Sequence, residues 1–352
     1  MYLKTMLKLN QFDILSKTYY HEEHIKKVLN GDRPFPLHME IDITNACNHR
    51  CEFCVWSDLI SKDKSSLPYE LIIDTITDLK ELGVKAITFT GGGEPTIHKR
   101  FYDIVQHTHD CDIKIGLLTN GSLLREEHDE QILSQLEFIR FSIAGTDRES
   151  YRNVQGVDDY NKVLYNLKRM SNKKRNTSIG VATLINNKNF HNLENYIKNL
   201  NEIGCDYLQI RKDYYSNIHD STWFDTQVLP LARRCNNEYD IDILGESYSD
   251  LQKKLGYPQG CYAHYFQGSI NATGDFYFCK NTRDNDKFSI GNIFQKTPKW
   301  IWEEHKNKEL ESHITPMNCM TFCRNMGTNI AVENIRREKP HNKIEVKNKY
   351  FF

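Results

Sequence analysis

An α/β fold with a parallel sheet is what this chain predicts, and three observations carry the prediction. Strand-like and helix-like segments alternate from residue 38 to residue 212. Cysteine-rich, glycine-rich and polar stretches gather where those strands end, the side on which parallel α/β folds place their chemistry. The 352 residues, 39% hydrophobic and 11% aromatic, supply enough apolar surface for a sizeable core. That length has room for about two domains.

The elements follow in order. Arg33-Pro34-Phe35-Pro36 ends any helix in the polar N-terminal stretch and leads into extended chain. Residues 38–44 alternate strictly, with Met39, Ile41 and Ile43 apolar and Glu40, Asp42 and Thr44 polar, which reads as a strand. A helix over 68–82 sets Leu71, Ile72, Thr75, Ile76 and Leu79 on one face and stops at Gly83. Residues 84–90 form the second strand. Helices near 98–109, 124–135, 147–171 and 190–203 then precede strands at 112–119, 137–144, 177–185 and 206–212. Such alternation implies right-handed crossovers between parallel strands, in a doubly wound sheet or a barrel.

Past about residue 215 the alternation breaks. From Gly260, segments 269–272 and 275–279 flank Thr273-Gly274, a hairpin signal, and 298–311 reads as a helix with Pro298 in its first turn. Arg336 to Lys349 holds six basic residues against two acidic and reads as a solvated end. The expected organisation is an N-terminal extension (1–36), a core (37–215), a linker (216–259), a C-terminal domain (260–335) and a basic tail (336–352).

Composition excludes several classes. Lys plus Arg number 46 against 47 Asp plus Glu, a net charge of −1, which argues against a nucleic-acid partner. No apolar run approaches the roughly 18 residues of a membrane span. The N-terminus lacks a signal-peptide apolar region, so a cytoplasmic location is expected. In a reducing compartment, ten cysteines point to metal or catalysis rather than disulfides. Cys47, Cys51 and Cys54 form a tight group; Cys261, Cys279, Cys319 and Cys323 form a looser one; Cys111, Cys205 and Cys235 stand apart.

The first group, Cys47-Asn48-His49-Arg50-Cys51-Glu52-Phe53-Cys54, is Cys-x3-Cys-x2-Cys in a loop after a strand. Three thiolates can hold an iron–sulfur cluster with one open iron. Zinc, with His49 as fourth ligand, is the alternative. One βα unit later, the second strand ends in Gly91-Gly92-Gly93-Glu94-Pro95. Glycines let backbone approach a ligand closely, and Glu94 offers a carboxylate to a cation.

Those two motifs together resemble the radical S-adenosylmethionine (SAM) superfamily. Thr119-Asn120-Gly121 and Arg140-Phe141-Ser142-Ile143 look like its later strand ends. The resemblance covers about residues 37–215 and implies a partial (β/α)6 TIM-like barrel. It implies that Cys47, Cys51 and Cys54 hold a [4Fe–4S] cluster whose open iron binds SAM. Reductive cleavage would then give a 5′-deoxyadenosyl radical that removes hydrogen from a substrate. By the same resemblance Phe53 lies near adenine, and Gly92, Gly93 and Glu94 meet the methionine amino group. Ser142 and Arg152 meet its carboxylate, and Asn186 touches the adenosine. A flavodoxin- or ferredoxin-type electron donor is implied as partner. Ordinary alternatives stand beside three of these roles: a turn for the glycines, a small inward residue for Ser142 and a surface charge for Arg152.

The second cysteine group, with the hairpin, Gly291-Asn292-Ile293 and Trp300-Ile301-Trp302, resembles the auxiliary-cluster extension called SPASM, and better its shortened form, twitch. Four cysteines instead of the full extension's seven imply one further [4Fe–4S] cluster, held by Cys261, Cys279, Cys319 and Cys323 and suited to electron transfer. Zinc, or cysteines without a ligand role, are the alternatives.

In such a barrel the apolar strand face meets the helices, so the polar face lines the cavity. That puts Glu40, Asp42, Arg140, Gln209, Arg211 and Asp213 inside, as a polar substrate cavity or a supporting ion-pair network. Cys235 or Cys205 is a candidate hydrogen donor, against a packed, inert thiol; Cys111 reads as structural. The leading expectation is oxidation or epimerisation of a polar small molecule, on an architecture like that of aminocyclitol dehydrogenases. A peptide-modifying maturase is the first alternative, although residues 1–36 are short for a leader-recognition domain. A non-enzymatic zinc-binding module is the second.

Overall fold

The computed structural model describes residues 14–212, 223–244, 261–283, 285–306, 323, 325–337 and 348–352. In chain order the N-terminal helices are α1 (Ile14–Tyr20) and α2 (Glu22–Leu29). They are followed by β1 (His38–Asp42), α3 (Ser57–Lys62), α4 (Tyr69–Glu81) and β2 (Ala86–Thr90). Next come α5 (Phe101–Asp110), β3 (Lys114–Thr119), α6 (Asp129–Gln135) and β4 (Leu136–Ser142). Then α7 (Arg148–Gln155), α8 (Tyr160–Lys173), β5 (Ser178–Ile185), α9 (Leu193–Ile203) and β6 (Tyr207–Lys212) complete the alternation. The remainder is α10 (Leu229–Glu238), β7 (Asp242–Leu244), β8 (Gln267–Ile270), β9 (Asp275–Tyr277), β10 (Ser289–Asn292), α11 (Pro298–Lys306) and α12 (Met326–Arg336).

Strands β1 to β7 pair in sequence order and in parallel, as expected from the alternation, in the α/β partial-barrel order that the resemblance implies. One strand face packs on the helices. Met39, Ile41, Ile87, Phe89, Ile115, Leu117, Ile139, Phe141, Ile179, Val181, Leu208 and Ile210 share one buried cluster with Ile72, Ile76, Leu79, Ile104, Val163, Leu167 and Ile197. The other face is polar. Register sets His38, Glu40 and Asp42 beside Ala86, Thr88 and Thr90, and Arg140 and Ser142 beside Gly180 and Ala182. The apolar face dominates the folding energy, at about 1.5–3 kcal/mol per buried large side chain, and so fixes which side chains remain for the interior.

Four features differ from the sequence reading. The helix expected over 147–171 is two helices, because Gly156 takes a left-handed φ of 69° and ends α7. A Cβ there would also lie 2.6 Å from the Arg50 carbonyl oxygen, so the cysteine loop needs the glycine too. Residues 216–259, read as a linker, contain α10 and β7, which extends the sheet beside β6. The C-terminal region continues that sheet as well. Strand β8 pairs in parallel with β1, and the β8–β9 hairpin with β10 forms its far edge.

The fourth lies just past the stretch read as a solvated end (336–349), of which 338–347 fall outside the described residues. Phe351 packs on Ala86 and Phe138, on the interior face at the N-terminal ends of the strands. The Phe352 N–H donates to His38 Nδ1 at 3.1 Å, and Lys17 Nζ donates to the Phe351 carbonyl at 2.7 Å. Phe351 and Phe352 are both buried, and burying a large apolar side chain contributes about 1.5–3 kcal/mol.

Candidate active site

The first cysteine group sits where three strand ends meet. Gly93 N–H donates to Thr44 O at 3.0 Å and Glu94 N–H to Ala46 O at 2.8 Å, joining the β2 end to the base of the cysteine loop. Asn48 ties the loop to the β3 end, donating to Ser122 Oγ at 2.8 Å and accepting from Asn120 Nδ2 at 2.9 Å. Arg50 and Glu52 donate their backbone N–H groups to Gln155 O and Val154 O on α7. Glycine is obligatory in this seam. A Cβ on Gly93 would lie 2.1 Å from the Ala46 carbonyl oxygen, and one on Gly92 would lie 2.4 Å from Asn45 Oδ1.

Glu94 is 3% exposed. Its Oε1 accepts from Thr96 Oγ1 and Thr119 Oγ1, each at 2.6 Å, and its Oε2 accepts from Asn120 N–H at 2.7 Å. Burial pushes its carboxyl pKa up, and these donors offset only part of that. Glu94 therefore clasps the β2 and β3 ends together.

The three thiols are partly buried, and each pKa is raised, chiefly by burial; Cys51 is pushed up to about 12. Cys47 and Cys54 add to the rise at Cys51, so the three sulfurs feel one another. His49 does not join them as a ligand. Its Nδ1 faces Gln155 Nε2 at 3.1 Å, and its Nε2 faces Asp159 Oδ2 at 3.7 Å. Burial holds the ring neutral, with its pKa lowered to about 4. With the imidazole turned away, the donor set is three thiols on one loop, which fits thiolate-held iron–sulfur chemistry. Binding a cluster must expel their protons, which the charge of bound iron drives.

Gln155, unremarked in the sequence, connects this loop to the β4 end. Its Nε2 lies 3.3 Å from Ser142 O, and its Oε1 accepts from Ala144 N–H at 2.8 Å. Ser142 itself is exposed at the end of β4, and Arg152 is exposed on α7. Phe53 is half-buried beside Cys54. Asn186 begins the turn after β5, where its Oδ1 accepts from Lys188 N–H at 2.9 Å.

The second group lies around the start of α12. Cys279 Sγ accepts from Asn281 N–H and from Asn325 Nδ2, both at 3.5 Å. Asn329 Oδ1 accepts the N–H groups of Tyr262 and Ala263, at 2.7 and 3.1 Å, directly after Cys261. Cys323 O accepts from Met326 N–H at 3.3 Å. Cys319 lies outside the described residues. Among the described residues, no three His, Cys, Asp or Glu side chains close on a single ion.

The interior carboxylates are paired. Lys280 Nζ reaches Glu40 Oε1 at 2.5 Å, and Arg283 Nη1 reaches both Asp42 oxygens. Burial would raise the Glu40 pKa, but the Lys280 ammonium holds it down at about 2. Further round, Arg140 Nη1 and Arg211 Nη2 both donate to Gln209 Oε1, at 3.1 and 2.7 Å. Asp213 lies outside the described residues.

Cys235 and Cys205, read as candidate hydrogen donors or as packed, inert thiols, are both buried in apolar surroundings. Cys235 is fully buried on α10, among apolar residues of the helix layer. The Arg234–Glu194 ion pair holds that helix to α9. Cys205 is buried just before β6, in the same apolar cluster. The spacing of apolar residues on α10 buries Leu229, Ala232 and Cys235 together, a signal that an inert thiol packs there.

Comparison with known proteins adds the following. The model of the radical SAM superfamily matches residues 41–200, and that of an iron–sulfur cluster-binding domain, SPASM, matches residues 261–325. A tungsten-containing aldehyde ferredoxin oxidoreductase cofactor-modifying protein of Pyrococcus furiosus is 27% identical over 183 residues, 48% of this chain and 49% of that protein. A probable GTP 3′,8-cyclase of Thermococcus kodakarensis is 30% identical over 126 residues, 36% of this chain and 41% of that protein. The chain thus spans about half the length of these curated relatives or less. Streptococcus suis SuiB bound to S-adenosylmethionine has a TM-score of 0.64 at 16% identity, covering 94% of this chain and 79% of SuiB. Native anSMEcpe with bound AdoMet and a Kp18Cys peptide has a TM-score of 0.61 at 19% identity, covering 79% and 83%. At these identities the likeness is one of fold.

Proposed function

This chain belongs to the radical SAM superfamily and carries a C-terminal iron–sulfur cluster-binding domain, and on that premise we propose that it oxidises a polar small molecule at carbon. It uses SAM and [4Fe–4S] clusters. Cys47, Cys51 and Cys54 would hold the SAM-binding cluster. Cys261, Cys279, Cys319 and Cys323 would hold the auxiliary one. Bound there, and given one electron from an external reductant, SAM and the first cluster would supply a 5′-deoxyadenosyl radical to take a hydrogen atom from substrate; the second cluster would supply an acceptor for the second electron, with a proton leaving to solvent.

The observation that carries this reading is the seating of the Cys279 loop on the strand that feeds the first cysteine loop. Lys280 and Arg283 bind Glu40 and Asp42 of β1, which supports a centre at Cys279 that would face the same interior as one at Cys47. An acceptor so placed suits loss of two electrons from one substrate. Within that interior, the guanidinium groups of Arg140 and Arg211, gathered by Gln209, would orient oxygen-bearing substrate groups. Gln155 and His49 would hold the cysteine loop in place, and the Glu94 clasp would fix the glycine seam against SAM.

The test is iron and sulfide per chain after anaerobic reconstitution, with SAM cleavage under dithionite, in the wild type and in C47A/C51A/C54A. About eight irons falling to about four, with cleavage lost, supports two four-iron centres. Four falling to none removes the auxiliary acceptor and with it the oxidation reading. Zinc in place of iron with no SAM cleavage refutes the cofactor assignment altogether.

A further inference from the structure

The first turn of α12 organises the second cysteine group from several directions. Asn325, immediately before the helix, is 2% exposed, and its Nδ2 lies 3.5 Å from Cys279 Sγ. The Asn281 N–H reaches the same sulfur at the same distance. One turn further on, Asn329 accepts the two N–H groups that follow Cys261. Cys323 stands two residues before Asn325 and closes the approach to the helix through its carbonyl. A single helical turn of this chain thus holds the Cys261 loop and donates to the Cys279 sulfur.

We propose that Asn325 is a positioning residue that sets the reduction potential of the auxiliary cluster, making that centre easier to reduce. The proposal rests on the reading of Cys279 as a cluster ligand. Adding an electron to a cluster increases the negative charge on its sulfurs. An N–H aimed at one of those sulfurs stabilises the reduced state more than the oxidised one. The site is buried, so water does not screen the interaction. The N-terminus of α12, eleven residues long, contributes a field of the same sign. The amide of Asn325 is the part of this arrangement that a side-chain substitution can remove. Asn281 acts through its backbone and stays as an internal reference.

The experiment uses the full chain, reconstituted anaerobically, as wild type, C279A, N325L and N325D. Iron per chain is measured first, and then the midpoint potential of the EPR signal that C279A abolishes. N325L removes the donor at similar volume. The expected result is about a tenfold loss in the equilibrium constant for reduction, which is about 59 mV more negative for one electron. N325D keeps the shape and a residue favoured before a helix but presents an anion, so its potential falls further. If N325L fails to hold iron, N325D carries the test alone. An unchanged potential at full iron content overturns the tuning role while leaving the cluster in place. Unchanged iron in C279A overturns the ligand reading itself, and the proposal with it.

Discussion

Arg283 Nη1 donates to both oxygens of Asp42, at 2.6 and 2.5 Å, while its guanidinium lies over the Trp56 ring, 4.4 Å from the centroid. Three parts of the chain meet in that one side chain. Asp42 ends β1, Trp56 follows the first cysteine group by two residues, and Arg283 follows Cys279 by four. The two side chains of the ion pair are 1% and 7% exposed. Removing one partner of a buried pair strands the other charge, at a cost of about 3–5 kcal/mol. D42N is expected to lose that much in chemical denaturation, and D42N/R283M to recover part of it. A loss in the double variant equal to the sum of the D42N and R283M losses would show that the pair carries no coupling.

Gly93 faces backbone rather than a movable side chain. A Cβ placed 2.1 Å from the Ala46 carbonyl oxygen forces the glycine loop and the cysteine loop apart. G93A is expected to lose about 1–3 kcal/mol of stability and to bind less iron after reconstitution. Full iron incorporation in G93A would separate the seam from the cluster site.

Glu94 takes hydrogen bonds on both oxygens in a site closed to water. E94Q turns one acceptor into a donor that faces another donor, which costs about 1–3 kcal/mol. T119V removes one hydroxyl donor and should cost less than E94Q. Thermal melts of both variants check the order, and the reverse order would mean that the clasp does not act through the carboxylate.

His38 makes the fold acid-sensitive. Burial, with the nearby Lys280 and Lys17 cations, lowers its pKa from 6.5 to about 3, although Glu40 pulls the other way. Its Nδ1 accepts from Phe352 N–H and its Nε2–H donates to Thr88 Oγ1, so the neutral ring is the bonded form. The unfolded chain binds the proton first as the pH falls. The contribution is therefore present in full above pH 6.5 and is lost between there and about pH 3. The stability difference between wild type and H38Q should narrow below pH 6.5, by up to about 1.4 kcal/mol per pH unit. A difference independent of pH would put the proton elsewhere.

Phe351 closes the interior at the N-terminal ends of the strands, against Ala86 and Phe138. F351A leaves a cavity there and is expected to cost about 3–5 kcal/mol. A melting temperature equal to wild type would return the last residues to the solvated end that their neighbours' charge suggests.

The sequence by itself determined the repeating αβ order, the parallel sheet, the two cysteine groups and the family. Each is local. Period-two and period-3.6 patterns record which face of an element is buried, and the cysteine and glycine motifs lie within single loops. Even the interior side of β1 and β4 was legible, because alternation within one strand settles it. Tertiary structure alone decided which distant residues meet. Lys280 and Arg283 answer Glu40 and Asp42 across some 240 positions of chain. β8 joins β1, Gln155 reaches His49, Asn325 reaches Cys279, and Phe351 enters the interior. None of these pairs leaves a periodic or motif signal, because each partner obeys only its own element's pattern. The contact follows from how elements pack, and packing is set by the whole buried surface at once. The choice between the two readings of Cys235 was open in sequence for the same reason. A cysteine between two domains in sequence looked available for chemistry, and only the packing of α10 on α9 showed that it is buried in the helix layer.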